Sequence, residues 1–176
     1  MSAAGGSDAP AQHRAYAPRS VRCAVLTVSD SRTLADDTSG ESIAAALGAA
    51  GHEIADRAIV RDDATAIAAA VRRGIERADV DAVIVTGGTG VSPRDVTPEA
   101  VLPLLDKLLH GFGELFRMLS FEEIGAAAVL SRALAGTAGR TAVYVLPGSR
   151  GAVKLGMERL ILPELAHLVG QLRRDA

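Results

Sequence analysis

The sequence predicts an α/β fold: a three-layer sandwich with a mainly parallel central sheet and helices on both faces. Short β-branched runs alternate with helical stretches along the 176 residues, the order from which parallel sheets are built. The run Ala82-Val-Ile-Val85 is apolar at every position, as in a strand covered on both faces. It breaks into Gly87-Gly-Thr-Gly90 before a helix restarts, and in such sheets ligands sit beyond the carboxyl ends of the strands.

The elements follow in order. Residues 1–20 are rich in Ala, Gly, Ser and Pro without an apolar segment, so a disordered tail is expected there, not a signal peptide, with the folded domain over 21–176. Residues 22–29 form a Val/Leu/Thr-rich strand, and 42–50 a helix ended by Gly51. A second strand spans 52–60. Residues 63–78 carry Ile67, Val71 and Ile75 at helical spacing, and a strand over 82–86 follows directly. Thr97-Pro98-Glu99 reads as a helix start, with a threonine cap, a proline in the first turn and an acid beside it. That helix is predicted over 97–109, broken by Gly111-Phe-Gly113. Two further helical pieces, 114–119 and 122–135, precede a strand over 140–146. Pro147-Gly-Ser149 turns that strand into a terminal helix over 152–173, which Pro163 is expected to kink.

Composition narrows the function. No apolar run approaches the roughly 20 residues that span a bilayer, so a soluble protein is expected. The net charge of −2 argues against binding driven by neutralising nucleic-acid phosphates. Three Phe, two Tyr and no Trp argue against a base-stacking platform. The single Cys23 excludes an internal disulfide and a cysteine-rich zinc site, and fits a reducing cytoplasm. It reads as a small hydrophobe buried in the first strand.

The carboxyl-edge rule gathers the polar residues. The strands run into Ser29-Asp30-Ser31-Arg32, Arg61-Asp62-Asp63, Thr86 to Gly90 and Pro147-Gly148-Ser149, so four loops converge at one rim. Gly87, Gly88 and Gly90 let the backbone turn with positive φ and approach a ligand closely. Loop amides and a helix N-terminus would stabilise a phosphate or other anion. Asp62 and Asp95 would hold magnesium, which takes few carboxylates and fills its shell with water and phosphate oxygens. Together these point to phosphoryl or nucleotidyl chemistry. Neither common nucleotide motif fits: Lys107 and Lys154 are not beside the glycines, and Gly88-Thr-Gly90 is followed by Val-Ser-Pro without a third glycine.

Ordered motifs sharpen this. They are Thr27-Val-Ser-Asp30, Asp36-Asp-Thr-Ser-Gly40, Thr86-Gly-Gly-Thr-Gly90 with Arg94-Asp-Val-Thr-Pro-Glu99, Gly111-Phe-Gly-Glu114, Phe116-Arg-Met-Leu-Ser-Phe-Glu-Glu-Ile-Gly125, Ser131-Arg132 and Leu146-Pro-Gly-Ser149. With them the chain, from about Val21 onward, resembles the MoaB/MogA family of molybdenum cofactor biosynthesis proteins, to which the gephyrin G domain is related, and is most similar to the MoaB branch. The resemblance implies a domain that binds molybdopterin and, in active members, transfers AMP to it from Mg-ATP with release of pyrophosphate. Carried over by position, Asp62 and Asp95 would be catalytic acids that bind magnesium and orient the pterin phosphate, and Arg94 would neutralise charge developing on phosphate. Thr86, Gly87, Gly88, Thr89 and Gly90 would hold pterin phosphate or nucleotide. Ser29, Asp30, Asp37, Thr97, Glu114, Ser131, Pro147, Gly148 and Ser149 would line the rest of the pocket. The family also implies a homotrimer or homohexamer and contact with the molybdate-insertion protein.

Plainer readings stand beside these. Asp62 and Asp63 can cap the following helix, and Asp95 can serve the helix dipole alone. Arg117 and Arg132 read as surface ion-pair partners. Residues 126–135 suit either core or subunit packing. For the whole protein, the alternative to an adenylyltransferase is a non-catalytic molybdopterin-binding or scaffold protein of the same pathway.

Overall fold

The computed structural model describes residues 17–174; most of the tail expected over 1–20 lies outside them. The elements are β1 (Arg22–Val28), α1 (Thr38–Ala49), β2 (Glu53–Val60), α2 (Ala64–Glu76), β3 (Ala82–Thr86), α3 (Thr97–Val101), β4 (Lys107–Leu108), α4 (His110–Ile124), β5 (Leu134–Ala138), β6 (Thr141–Leu146), α5 (Arg150–Gly156) and α6 (Leu162–Leu172). The sheet has the order β2-β1-β3-β6-β5-β4. Strands β2, β1, β3 and β6 pair in parallel, while β5 and β4 close one side antiparallel. The predicted α/β sandwich is the observed one.

Strand periodicity divides the interior into two cores. Cys23 and Val25, Ala82 and Ile84, and Tyr144 and Leu146 pack beneath α1, α4, α5 and α6, against Ile43, Leu47, Phe116, Val153 and Leu165. The alternate residues Ala24 and Leu26, Val83 and Val85, and Val143 and Val145 pack against Ile67 and Val71 of α2 and Val101 of α3. Each central strand is therefore apolar on both sides, which explains its continuous hydrophobic run. Cys23 is buried and free, and burial pushes its thiol up to about 12, with Asp81 adding to the shift. At the amino edge of the sheet, Asp81 accepts hydrogen bonds from the Arg22 amide at 2.9 Å and from Arg173 at 2.5 Å. Among the described residues, no helix is long and apolar enough to cross a membrane.

The stretch between β3 and β6 departs from the sequence expectation. The helix predicted over 97–109 ends at Val101, and a 3-10 turn over Leu102–Leu104 contains Pro103, which has no N–H to continue the ladder. Lys107 and Leu108 then pair with Thr137 and Gly136 as an edge strand. Gly111 and Gly113 do not break a helix; both lie within α4. A Cβ on Gly113 would come 2.9 Å from the Ala133 carbonyl, so the close crossing outweighs glycine's low propensity. The helix predicted over 122–135 stops at Gly125, whose φ of 62° reverses the chain. A 3-10 segment over Gly125–Leu130 and strand β5 take its place, because Ala135 and its neighbours are buried beside β6. The terminal helix runs on through a π turn over Met157–Ile161, and this widened turn accommodates Pro163.

Candidate functional site

The four loops expected at the carboxyl edge meet there. Ser29 N–H donates to the Val60 carbonyl at 2.9 Å, and Gly87 N–H donates to the Leu146 carbonyl at 3.1 Å, joining the strand ends β1–β2 and β3–β6. Thr86, fully buried, donates its hydroxyl to the Pro147 carbonyl at 3.2 Å. Ser39 donates to the Gly148 carbonyl at 2.8 Å, tying α1 to the last loop. A Cβ on Gly148 would lie 3.3 Å from Gly87 Cα, so these two glycine turns touch.

The central loop takes its shape from two glycines, with φ of 102° at Gly87 and 62° at Gly88, where a side chain is strained. Thr97 holds it: its hydroxyl donates to the Gly87 carbonyl at 2.9 Å and its N–H to the Gly88 carbonyl at 3.0 Å. Thr97 is thus not the helix cap. Val96 occupies that position without a side-chain bond, and α3 is only 5 residues long. So few aligned peptides make a weak dipole, which leaves anion binding to the loop amides and nearby cations.

Both carboxylates lie against this loop. A Cβ added to Gly88 would sit 2.8 Å from Asp62 Oδ1, and one added to Gly90 would sit 2.7 Å from Asp95 Oδ2. Asp95 is held by the Ser92 N–H, which donates to Oδ2 at 3.0 Å. Asp62 differs from its neighbour. Asp63 caps α2, accepting the Ala66 N–H at 2.8 Å, whereas Asp62 Oδ1 is buried with no hydrogen-bond partner. Burial, then the charges of Asp95 and Asp30, push the Asp62 carboxyl above the ordinary carboxylate range, against a smaller opposing pull from Arg94.

Asp30 bridges the loops. It accepts the Asp62 N–H at 3.2 Å and pairs with Arg94, and these contacts hold its carboxyl below the usual range. Arg61 lies 3.9 Å from it. Ser29 turns the same loop by accepting the Ser31 and Arg32 amides at 3.3 and 3.2 Å.

Three expected site residues stand apart. Asp37 is buried, and its oxygens are committed to the Gly40 N–H at 2.9 Å, the Thr27 hydroxyl at 2.9 Å and Arg57 at 3.2 Å. It caps α1. Glu114 is exposed on α4. Ser131 lines a neighbouring cavity of about 520 Å³ with Pro98, Leu109, Arg117 and Arg132, and its hydroxyl is buried without a partner. Arg132, read from sequence as a surface ion-pair partner, does pair with exposed Glu99 and also reaches the glycine loop. It donates to the Thr89 carbonyl at 3.2 Å and the Asp95 carbonyl at 2.7 Å. The Ser131-Arg132 motif was visible, but its partners lie some forty residues away and no local pattern names them.

As a metal site the rim is sparse: among the described residues no three His, Cys, Asp or Glu side chains converge as a cage. Two carboxylates against a glycine loop, one with an unpartnered buried oxygen, fit magnesium bound largely through substrate phosphates.

Comparison with known proteins agrees with this architecture. A family profile described as "Probable molybdopterin binding domain" matches residues 24–167. Molybdenum cofactor biosynthesis protein B of Bacillus cereus is 51% identical over 165 residues, covering 93% of this chain and 98% of that protein. The Bacillus subtilis protein of the same name is 52% identical over 165 residues, covering 93% and 97%. A crystal structure of a molybdenum cofactor biosynthesis protein B superposes with a TM-score of 0.88 at 52% identity, covering 90% of this chain and 99% of that one. The tungsten cofactor synthesizing protein MoaB of Pyrococcus furiosus superposes with a TM-score of 0.79 at 39% identity, over 89% of this chain and 99% of that one. The chain belongs to the MoaB/MogA family of molybdenum cofactor biosynthesis proteins and carries its molybdopterin-binding domain.

Proposed function

We propose that this protein adenylylates molybdopterin: an oxygen of the pterin's terminal phosphate attacks the α-phosphorus of ATP. The new P–O bond forms as the bond from the α-phosphorus to the bridging oxygen of the β-phosphate breaks. Pyrophosphate leaves with the electron pair, and nothing is oxidised or reduced. The observation that carries this reading is Asp62, whose buried oxygen lacks a partner beside the glycine loop, facing the charge of Asp95.

Each group then has a task. The amides of Gly88 to Gly90 would hold phosphate oxygens, a role supported by the absence of side chains at the glycines and by the tight folding of the loop, while the Gly87 amide stays on the Leu146 carbonyl. Asp62 and Asp95 would hold magnesium, which when bound neutralises the crowded phosphate charge. Arg94, whose exposed side chain pairs with Asp30, would leave it to meet charge on the leaving pyrophosphate. The loop from Pro147 to Ser149, packed on Gly87, closes the other wall.

We assign the subunit contact of the expected trimer or hexamer to the exposed apolar face of α4 and the 3-10 segment after it, where Met118, Phe121, Ile124 and Val129 lie open.

The test is an adenylylation assay with purified protein, molybdopterin and Mg-ATP, following pyrophosphate and adenylylated pterin. Asp62→Ala and Asp95→Ala are expected to abolish product while fold and assembly persist. Wild-type protein that binds molybdopterin yet forms no adenylylated product reduces the function to binding or scaffolding in the pathway.

A further inference from the structure

Arg132 lies between the 3-10 segment Gly125–Leu130 and β5, outside the rim in sequence, yet its guanidinium grips the connection from β3 to α3 at Thr89 in the glycine loop and at Asp95 beyond it. Nε donates to the Thr89 carbonyl at 3.2 Å and Nη2 to the Asp95 carbonyl at 2.7 Å, while Nη1 pairs with Glu99. The side chain is 29% exposed, so the fork is half-buried and its charge is balanced locally.

Peptide planarity makes these contacts consequential. A carbonyl and the following N–H point in opposite directions across one rigid plane. Anchoring the Thr89 carbonyl therefore sets the direction of the Gly90 N–H, and anchoring the Asp95 carbonyl sets that of the Val96 N–H. The second contact also fixes the Asp95 backbone, whose carboxylate lies against Gly90. Between those points the loop steadies itself chiefly by the Ser92 to Asp95 turn, at 3.0 Å.

We propose that Arg132 is a positioning residue of the site: it does not touch substrate, but aims the Gly90 amide and the Asp95 carboxylate at the phosphates. The inference rests on the reading that this rim binds the phosphates of ATP and molybdopterin. Its chemistry demands arginine. The planar fork reaches two carbonyls and a carboxylate at fixed spacing, whereas a lysine ammonium offers a single point charge.

The experiment compares Arg132→Lys and Arg132→Gln with wild-type protein and with Arg140→Gln, which removes an exposed positive charge at the opposite edge of the sheet. Adenylyl transfer is measured as kcat and KM for ATP, and 15N relaxation reports the order of the Gly90 and Val96 amides. Both Arg132 variants are expected to lose kcat by on the order of 10²-fold, the scale of a misplaced group, with a much smaller change in KM. Lysine is not expected to rescue, which separates aim from charge. The two amides are expected to drop from rigid order parameters near 0.85 to below about 0.6. An Arg132→Lys protein with wild-type kcat and an unchanged loop overturns the inference. If the wild-type protein makes no adenylylated pterin, the reaction reading falls and the relaxation arm decides this one: a loosened loop sustains it and an unchanged loop refutes it. Should the glutamine variant fail to fold, the lysine variant, which keeps stem and charge, carries the test.

Discussion

Asp62 sits where a carboxylate is uncomfortable. Its oxygen is buried without a donor, and two acids face it, so its carboxyl holds a proton to higher pH than in the unfolded chain. Across the window from the ordinary carboxylate value up to the raised one, the native state binds more protons than the unfolded state. This residue's contribution to stability is thus full below the window and declines as pH rises through it. Asp62→Asn removes the decline. In metal-free buffer its Tm should exceed that of wild type at about pH 7, and the gap should shrink toward about pH 3, where both forms are neutral. Magnesium added with ATP should raise the wild-type Tm more than that of the variant, because binding stabilises a protein in proportion to how well it retains the site. Turnover by the variant should fall by at least on the order of 10²-fold. A variant no more stable than wild type at neutral pH would remove the argument that this oxygen awaits a cation. The adjacent Asp63 illustrates how little sequence separates neighbours: both acids qualified as caps, and only side-chain direction, set by the entry into α2, divides the roles.

At the scale of the element, α2 owes its start to Asp63, and α1 owes its start to Asp37. Asp63→Ala should cost about 1 kcal/mol, a fall in Tm of about 2–4 °C for a domain of this size. Thermal unfolding checks the first expectation. Adenylylation that survives the substitution would assign the chemistry to Asp62 of the pair. Elements with strong local signals were legible: β1, β2, β3, α2 and the glycine loop read directly from β-branched runs, helical spacing and turn residues. The stretch from α3 to β5 did not, because its determinants are non-local. Alanine-rich 126–135 favours helix by propensity, and only burial against β6 makes Leu134–Ala138 a strand. One cue was present and unread: β5 and β6 are joined by Gly139-Arg140, with φ of 55° at the glycine, the glycine-first pattern of a tight hairpin. At the site, glycines and acids announced themselves by type. Arg132 did not, since a charged residue's partners across the fold leave no trace in its neighbours.

For the whole molecule, the double core explains why the rim can be polar and tightly turned: parallel strands covered on both faces hold the loops from beneath. The same packing leaves Phe121 at 62% exposure and Val129 at 79%, with Met118, Ile124 and Leu130 also open. If copies of the chain meet there, Phe121→Glu should lower the assembled mass in light scattering while the monomer keeps its circular dichroism. An unchanged mass would move the contact to another face.

Asp81 has a consequence for how the domain can be wired to others. Its carboxylate takes hydrogen bonds from Arg22 at the start of the first strand and from Arg173 just after the last helix. The entry and exit of the fold are therefore stapled side by side, at the edge of the sheet farthest from the rim. A short linker joining them should yield a circular permutant, and a second module attached at either point would leave the mouth of the site open.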